Sequence, residues 1–415
     1  MTPEIEKRIK AVKAGRVPAA HCLDGKKSQW NHLQISDLFD EVCEKNHPDA
    51  DVLTIIQGTG TVLREESGRE IIYDENSLAS YKFVKKNDFI IHLRSFEGGL
   101  EVANQDGIVS PAYIILRPKI DVSTVYLYAL FHSNQFINQT MAPAVEGARD
   151  GRSVKYDALK KQKIFLPPLS EQKKIAEILS VQDKIIELKE KLIVEKQLQK
   201  KSLAQMLFSV KKQKITINNT VIDKKKWKKE KIGELTYYSG KRNTKNLDLE
   251  PYAITNEQGF VPQNKAHDEF GYMKNVDRSA YVIVTPKSFA YNPARINVGS
   301  IGYYAGEKNV IVSSLYEVFK TKDIFDNQFF WQWLKTDIFP MWVKKLQEGS
   351  VRQYFYYDKL CECEILLPSL SEQQTIASVL SSADEEISLL QRDLEQEKLK
   401  KKSLMQLLLT GLVRV

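Results

Sequence analysis

The sequence predicts an α+β protein: two globular domains joined by two long helices that pair as an antiparallel coiled coil, with a pseudo-two-fold internal repeat. Three observations predict it. The stretch PPLSEQKKIAEILS (167–180) returns as PSLSEQQTIASVLS (368–381), 201 residues later. Each copy opens a run of about 40 residues whose apolar positions follow coiled-coil spacing. The segments before them carry short β-branched runs bounded by Gly, Pro and Asn, the mark of strands.

Residues 1–29 form an N-terminal helical segment, charged from Glu4 onward and lacking the apolar core of a secretory signal. The first domain, 30–166, holds VLTIIQ (52–57), FIIHL (89–93) and AYIILRP (112–118) as strands and VSTVYLYALFHSNQF as a helix. The first long helix occupies 167–210. Its prolines hold the incoming chain extended, Ser170 suits the N-cap, and Glu171 sets a carboxylate against the positive helix end. Ile175, Leu179, Ile186, Ile193, Leu203 and Leu207 mark its seam, interrupted by Gln182 and Lys189.

A basic linker follows at 211–226. From Lys211 to Lys231 nine lysines face only Asp223 and Glu230, a net of +7 in a chain whose total is +8. It is either a solvated linker or a phosphate-tracking segment. The second domain, 227–367, repeats the pattern with SAYVIVTP (279–286), NVIVSS (309–314) and a helix over NQFFWQWLKTDIFPMW. The second long helix lies in 368–415. There Ile376, Leu380, Ala383, Ile387, Leu390 and Leu394 alternate steps of four and three, before Glu397 and Lys401 interrupt the seam and Leu404 and Leu408 resume it. Two equal helices of roughly 60 Å bury their seams by folding back on one another, with one domain at each end of a rod.

Laying 167–210 over 368–411 gives 19 identities in 44 positions. The likeness continues upstream, where Tyr156, Asp157, Leu159, Ile164, Leu166 and Pro167 match Tyr357, Asp358, Leu360, Ile365, Leu367 and Pro368. The domains otherwise differ. A symmetric rod offers equal surfaces to two copies of one partner, while two unlike heads touch two different things. Linked half-sites on a DNA duplex fit that plan; a bivalent protein-binding scaffold is the alternative.

Several chemistries are excluded. No run reaches the roughly 18 apolar residues of a membrane span. Four cysteines, with Cys361 and Cys363 one residue apart, make neither a disulfide framework nor a paired zinc site, and suit a reduced, cytoplasmic protein. IQGTGTV (56–62) has the glycines of a cofactor turn without the βα pattern to follow it. YNPARIN (291–297) resembles the Asn-Pro-Pro-aromatic loop of adenine methyltransferases, yet Ala294 and Arg295 replace the residues that would hold a flipped base. No phosphate loop and no histidine ligand pair exists. Neither catalytic residues, a metal nor a cofactor is expected.

Reading bases calls for Arg, Lys, Asn or Gln at groove edges. Arg94 and Arg295 stand before glycines at the same place in the two domains, each either a base reader or a loop arginine holding a carboxylate. Arg149, Arg152 and Lys155 in EGARDGRSVKY, and Arg352, Gln353 and Tyr354 in QEGSVRQYFYY, precede the last strand of each domain and either enter a groove or stay solvated. Lys241 and Arg242, after Gly240, are placed to grip phosphate.

The LPPLSEQ opening with its KKSLAQMLF close, repeated as LPSLSEQ with KKSLMQLLLTG, resembles the specificity subunit of a type I restriction-modification system, over essentially the whole chain. The resemblance implies two target-recognition domains, each reading one half of an interrupted, asymmetric site in double-stranded DNA. It implies helices that dock modification subunits, two by symmetry, which methylate adenine with S-adenosylmethionine. It implies restriction subunits that add ATP-driven translocation and cleavage. The repeated LSEQ and KKSL residues either contact those partners or only cap and charge the helices.

Overall fold

Each domain begins with a strand that pairs with its own last strand. Asn31–Gln34 runs antiparallel to Lys163–Leu166, and Lys228–Lys231 to Glu364–Leu367, so the chain leaves a domain beside the point where it entered. The computed structural model describes residue 10 and residues 30–68, 75–91, 99–146, 153–209, 213–217, 220–256, 259–263, 277–348 and 353–415. The chain divides into two compact units, one of residues 1–190 with 393–415 and the other of residues 191–392.

In the first unit a four-stranded antiparallel sheet is built from β1 (Phe39–Val42), β2 (Phe89–Ile91), β3 (Leu100–Val102) and β4 (Ile114–Pro118), in the order β1-β4-β2-β3. The run Phe89-Ile90-Ile91 is fully buried because β2 is covered on both faces. Phe89 and Ile91 pack with helix α1 (Thr124–Phe131), while Ile90 joins Leu53, Ile55 and Val84 on the other side. Ser123 caps α1 by accepting from the Tyr126 N–H (3.3 Å). The first long helix, α2, is Leu169–Phe208.

The second unit repeats the plan. Strands β5 (Thr236–Tyr238), β6 (Ser288–Tyr291), β7 (Ile301–Tyr304) and β8 (Glu317–Thr321) pair in the order β5-β8-β6-β7. Phe289 and Tyr291 face one core and Ala290 another. Helix α3 (Asn327–Leu334) is capped by Asp326, and the second long helix, α4, is Leu370–Leu409. The aromatic run expected as one helix is two. Thr336 Oγ1 donates to Trp333 O (2.7 Å) and accepts from the Ile338 N–H (3.3 Å), closing one helix and opening the next at Ile338–Leu346. Pro340 then falls in the first turn of that second helix, where its missing N–H is harmless.

The first long helix starts earlier than the Ser170 cap expected from sequence, and the second starts one residue before the equivalent Ser371. The residues before Leu169 and Leu370 are Pro168 and Ser369, so both serines lie in the first turn. At α4 the Glu372 carboxylate reaches back to the residue before the helix, accepting from both the N–H and the hydroxyl of Ser369 at Oε2 (3.0 and 2.8 Å). Pro168 has no hydroxyl or N–H to offer, and Glu171 instead accepts from Trp30 Nε1 (3.2 Å) and both from Arg414 Nε and Nη2 (2.5 Å each).

The glutamines of the two LSEQ openings are buried clamps. Gln172 Oε1 accepts from the Ser123 N–H (2.9 Å) and its Nε2 donates to Pro167 O (2.9 Å). Gln373 Oε1 accepts from the Asp326 N–H (2.8 Å) and its Nε2 donates to Pro368 O (3.0 Å) and Ile324 O (3.1 Å). One amide therefore ties the first turn of a long helix to the cap residue of the domain helix beside it.

Within each unit the long helices run antiparallel. Asp183 meets Lys401 and Asp384 meets Lys200, both at 2.5 Å; adding 201 to one residue and subtracting it from the other converts the first pair into the second. The polar interruptions of the two seams face one another. Gln182 Nε2 donates to Glu397 Oε2 (2.7 Å) and to its carbonyl (3.3 Å), and Lys189 pairs with Asp393. Polar groups matched in this way fix the register of the pair.

The segment expected as a basic linker is partly folded. Lys214–Ile217 and Thr220–Asp223 form a hairpin that buries Ile215, Ile217 and Ile222 in the second core. Lys224 is buried, not solvated: its Nζ donates to Met206 O (2.7 Å) and Ser209 O (2.5 Å) at the C-terminal end of α2.

Candidate nucleic-acid interface

The second domain holds two segments, about sixty residues apart in sequence, against one another with exposed polar and aromatic residues on both. The first is the turn after β6. The Asn292 side chain accepts from the Ala294 N–H (3.0 Å), and Asn292 O accepts from the Arg295 N–H (3.0 Å). Gly299 closes the turn at φ +90°, a conformation that disfavours any side chain. Arg295 projects from this turn into solvent.

The second segment is 353–356. Phe355 is fully buried against Tyr291 and Phe339, and its N–H donates to Pro293 O (3.1 Å). That bond brings the segment against the Arg295 turn. With Phe355 inward, the period-two alternation turns Tyr354 and Tyr356 the other way. Their rings stack at 5.6 Å and 5°, and Tyr354 pairs with Glu348 through two backbone hydrogen bonds (2.7 and 2.9 Å). Gln353 is exposed beside them.

Tyr238 extends the set. Half-exposed, it packs on Tyr357 at 5.6 Å and folds over Gly240, where an added Cβ would stand 2.7 Å from the phenol oxygen. Lys241 and Arg242 follow in a short exposed strand paired with Ile283 and Val282; one Arg242 nitrogen donates to Ala280 O (3.2 Å). They belong to another sheet, β-paired with Val282–Val284, and no described contact joins them to Arg295.

Carboxylates also flank the set. Burial raises the Glu317 carboxyl pKa, and the charge of Asp358 adds to it. The Tyr238 phenol is raised by burial first and Glu317 second, against the lowering charge of Arg242. It keeps its proton at neutral pH and is available as a donor. Mixed signs suit base edges, where acceptors and donors alternate, better than a run of phosphates.

In the first domain Val145–Glu146 pairs with Ser153–Val154, Val154 is buried, and Lys155 stands exposed with its N–H on Ala144 O (2.9 Å). Arg94, Arg149, Arg152 and Arg352 lie outside the described residues. Of the residues expected from sequence, the structure joins Arg295, Gln353 and Tyr354. Tyr356 and Tyr238 were missed, although the alternation in QYFYY signals one buried ring between two outward ones.

IQGTGTV is the tight hairpin between Leu53–Ile56 and Gly60–Leu63, with the Gly58 N–H held by Glu101 Oε1 (2.7 Å). Among the described residues no group of three His, Cys, Asp or Glu side chains is placed to hold a metal, and no helix is long and apolar enough to cross a membrane.

Known proteins share this plan. The family described as type I restriction modification DNA specificity domain matches the chain twice, over residues 27–197 and 214–398. The type I restriction enzyme MjaVIII specificity subunit of Methanocaldococcus jannaschii is 25% identical over 408 residues, covering 91% of this chain and 88% of that one. A second specificity subunit of that organism, assigned to MjaX, is 27% identical over 371 residues, covering 82% and 81%. Among solved structures, the HsdS subunit of Thermoanaerobacter tengcongensis shares the fold at a TM-score of 0.51 and 14% identity, covering 92% of this chain and 97% of that one. The S subunit of M. genitalium does so at 0.53 and 15%, covering 92% and 96%. A chain from a study of complex assembly in a type I R-M system reaches 0.58 at 13% identity, covering 92% and 98%. With both halves of its repeat matched, this chain belongs to the type I restriction-modification DNA specificity family.

Proposed function

We propose that the chain is the noncatalytic, sequence-reading subunit of a type I restriction-modification assembly, each domain recognising one half of an interrupted, asymmetric DNA site. The observation that carries this reading is the division of the repeat. The clamps, the first-to-last strand pairing and the helix register recur in both units, while the exposed loops differ. Such a molecule holds two different readers in equivalent mounts.

The helices fit two copies of a modification subunit. Leu188 and Leu389 are equivalent in the repeat and both 53% exposed; Leu198 and Leu399 are likewise equivalent, at 61% and 64%. Identical leucines kept in water at matching places favour a shared apolar docking surface. S-adenosylmethionine and ATP belong to the modification and restriction subunits, and the assembly works in the cytoplasm.

Adenine methylation mapped across the genome, with this gene intact and deleted, tests the reading. Loss of a single two-part motif on deletion is the expected result. An unchanged map, with the modification subunit expressed, refutes it.

A further inference from the structure

We infer that the residue immediately before the last short helix of each domain, Lys155 in the first and Tyr356 in the second, is a base-contacting position that sets part of the sequence read. The inference rests on the DNA-reading function proposed above and names where in each domain that reading occurs.

The two positions are equivalent on three counts. Tyr156, Asp157 and Leu159 repeat as Tyr357, Asp358 and Leu360 at the offset of 201. Lys155 and Tyr356 are the N-terminal flanking residues of the helices Tyr156–Leu159 and Tyr357–Glu362, both in extended conformation. Each follows a buried anchor, Val154 or Phe355, and a short antiparallel pairing, Glu146 with Ser153 or Glu348 with Tyr354. One mount therefore carries two unlike exposed side chains.

Tyr356 is the more informative of the two. It is 47% exposed, and its ring is held parallel to Tyr354 beside the turn that carries Arg295. A tyrosine that only filled space would sit inward, as Phe355 does. A ring held in water in a segment bonded to the Arg295 turn has a flat apolar face for a thymine methyl and a hydroxyl for a base edge. Asp358 in one helix and Asp157 in the other stand in the first turn directly after the position. Asp358 opposes a phosphate at that place, while Asp157 is already paired with Lys160. Lys155 offers the first domain a donor suited to guanine O6 and N7.

The experiment is a methylation map of cells in which this gene carries Tyr356→Ala, Tyr356→Gln or Lys155→Ala, alongside the intact and deleted gene. Unfolding midpoints of the purified chains accompany the map. Both positions are exposed, so the midpoints should not move; should the alanine variant unfold, Tyr356→Gln stands in for it. The expected result is relaxed sequence preference in one half of the motif for the Tyr356 variants and in the other half for Lys155→Ala. Discrimination at the affected base pair should fall by roughly 5- to 100-fold. An unchanged motif in folded variants, with the motif lost on deletion, overturns the inference and leaves the DNA-reading function standing. Equal loss of methylation at every site by a folded variant also overturns it, since that places the residue in subunit docking. If deletion itself leaves methylation unchanged, the DNA-reading function fails first.

Discussion

Replacing Gln373 by leucine should loosen the second unit more than replacing Gln172 loosens the first. Leucine fills a similar volume, so the perturbation removes hydrogen bonds with little change in packing. Gln373 is almost wholly buried and serves three partners, the Asp326 N–H and the carbonyls of Ile324 and Pro368. Gln172 serves two, the Ser123 N–H and Pro167 O. The bonds to Pro368 and Pro167 are buried and the others partly so; at about 1 kcal/mol for each partner left unpaired, Gln373→Leu costs about 3 kcal/mol and Gln172→Leu about 2 kcal/mol. Four of the five tryptophans, Trp227, Trp331, Trp333 and Trp342, lie in the second unit, so fluorescence-detected urea unfolding reports mainly on it. Hydrogen exchange over 123–126 and 326–329 reads each cap separately. A loss below about 1 kcal/mol for Gln373→Leu, or exchange that quickens equally at both caps in either variant, would refute the clamp as the link between helix and domain.

Three further outcomes follow from the same contacts. Arg414→Ala leaves the buried Glu171 carboxylate with Trp30 as its remaining described donor, and should destabilise the first unit by about 2–4 kcal/mol; thermal melts that differ by less than a degree would contradict this. Lys224→Met strips the Met206 carbonyl in the last turn of α2 and the Ser209 carbonyl just beyond it of a charged donor, for a loss of about 2–3 kcal/mol, checked by urea unfolding of the second unit. Burial works to raise the Asp384 carboxyl pKa, but hydrogen bonds from Gln332 and Lys200 and the charges of Lys335 and Lys200 outweigh it and hold it below the ordinary carboxylate range. Its stabilisation is complete above that range and disappears as pH falls through the depressed value. The parent chain should thus lose more stability between about pH 5 and pH 3 than Asp384→Asn does; identical acid profiles would exclude Asp384 as the source.

The repeat, the long helices and the central strands were legible because they rest on local signals: identities at a fixed offset, a 3.5-residue spacing, and β-branched runs. What escaped depends on residues distant in sequence. Gln182 and Glu397 each read as a flaw in a seam, and only their meeting across 215 positions makes them a register pair. The hairpin over Lys214–Asp223 was hidden by its lysines, although Ile215, Ile217 and Ile222 supply an inward face. The helix starts were misplaced because serine is a strong capping signal, while the residue that begins α2 follows a proline with no side chain to cap it. At the interface, loops rich in Arg and Gln were visible as loops. That Arg295 and Gln353 share one surface follows from the bond between Phe355 and Pro293, which no local pattern encodes.

The glutamine clamp also bears on how such a protein acquires a new target. Each clamp is made of residues at a domain's edge and the first turn of the helix it feeds, and none of its atoms belongs to the Arg295 turn or to the 353–356 segment. The PPLSEQ and PSLSEQ openings are near copies, so an in-frame crossover within them exchanges one complete domain for another and rebuilds the same clamp around the newcomer. Inheritance of specificity then proceeds by transplanting whole readers between ready sockets, and a lineage can change what it recognises without re-solving how the recogniser is held.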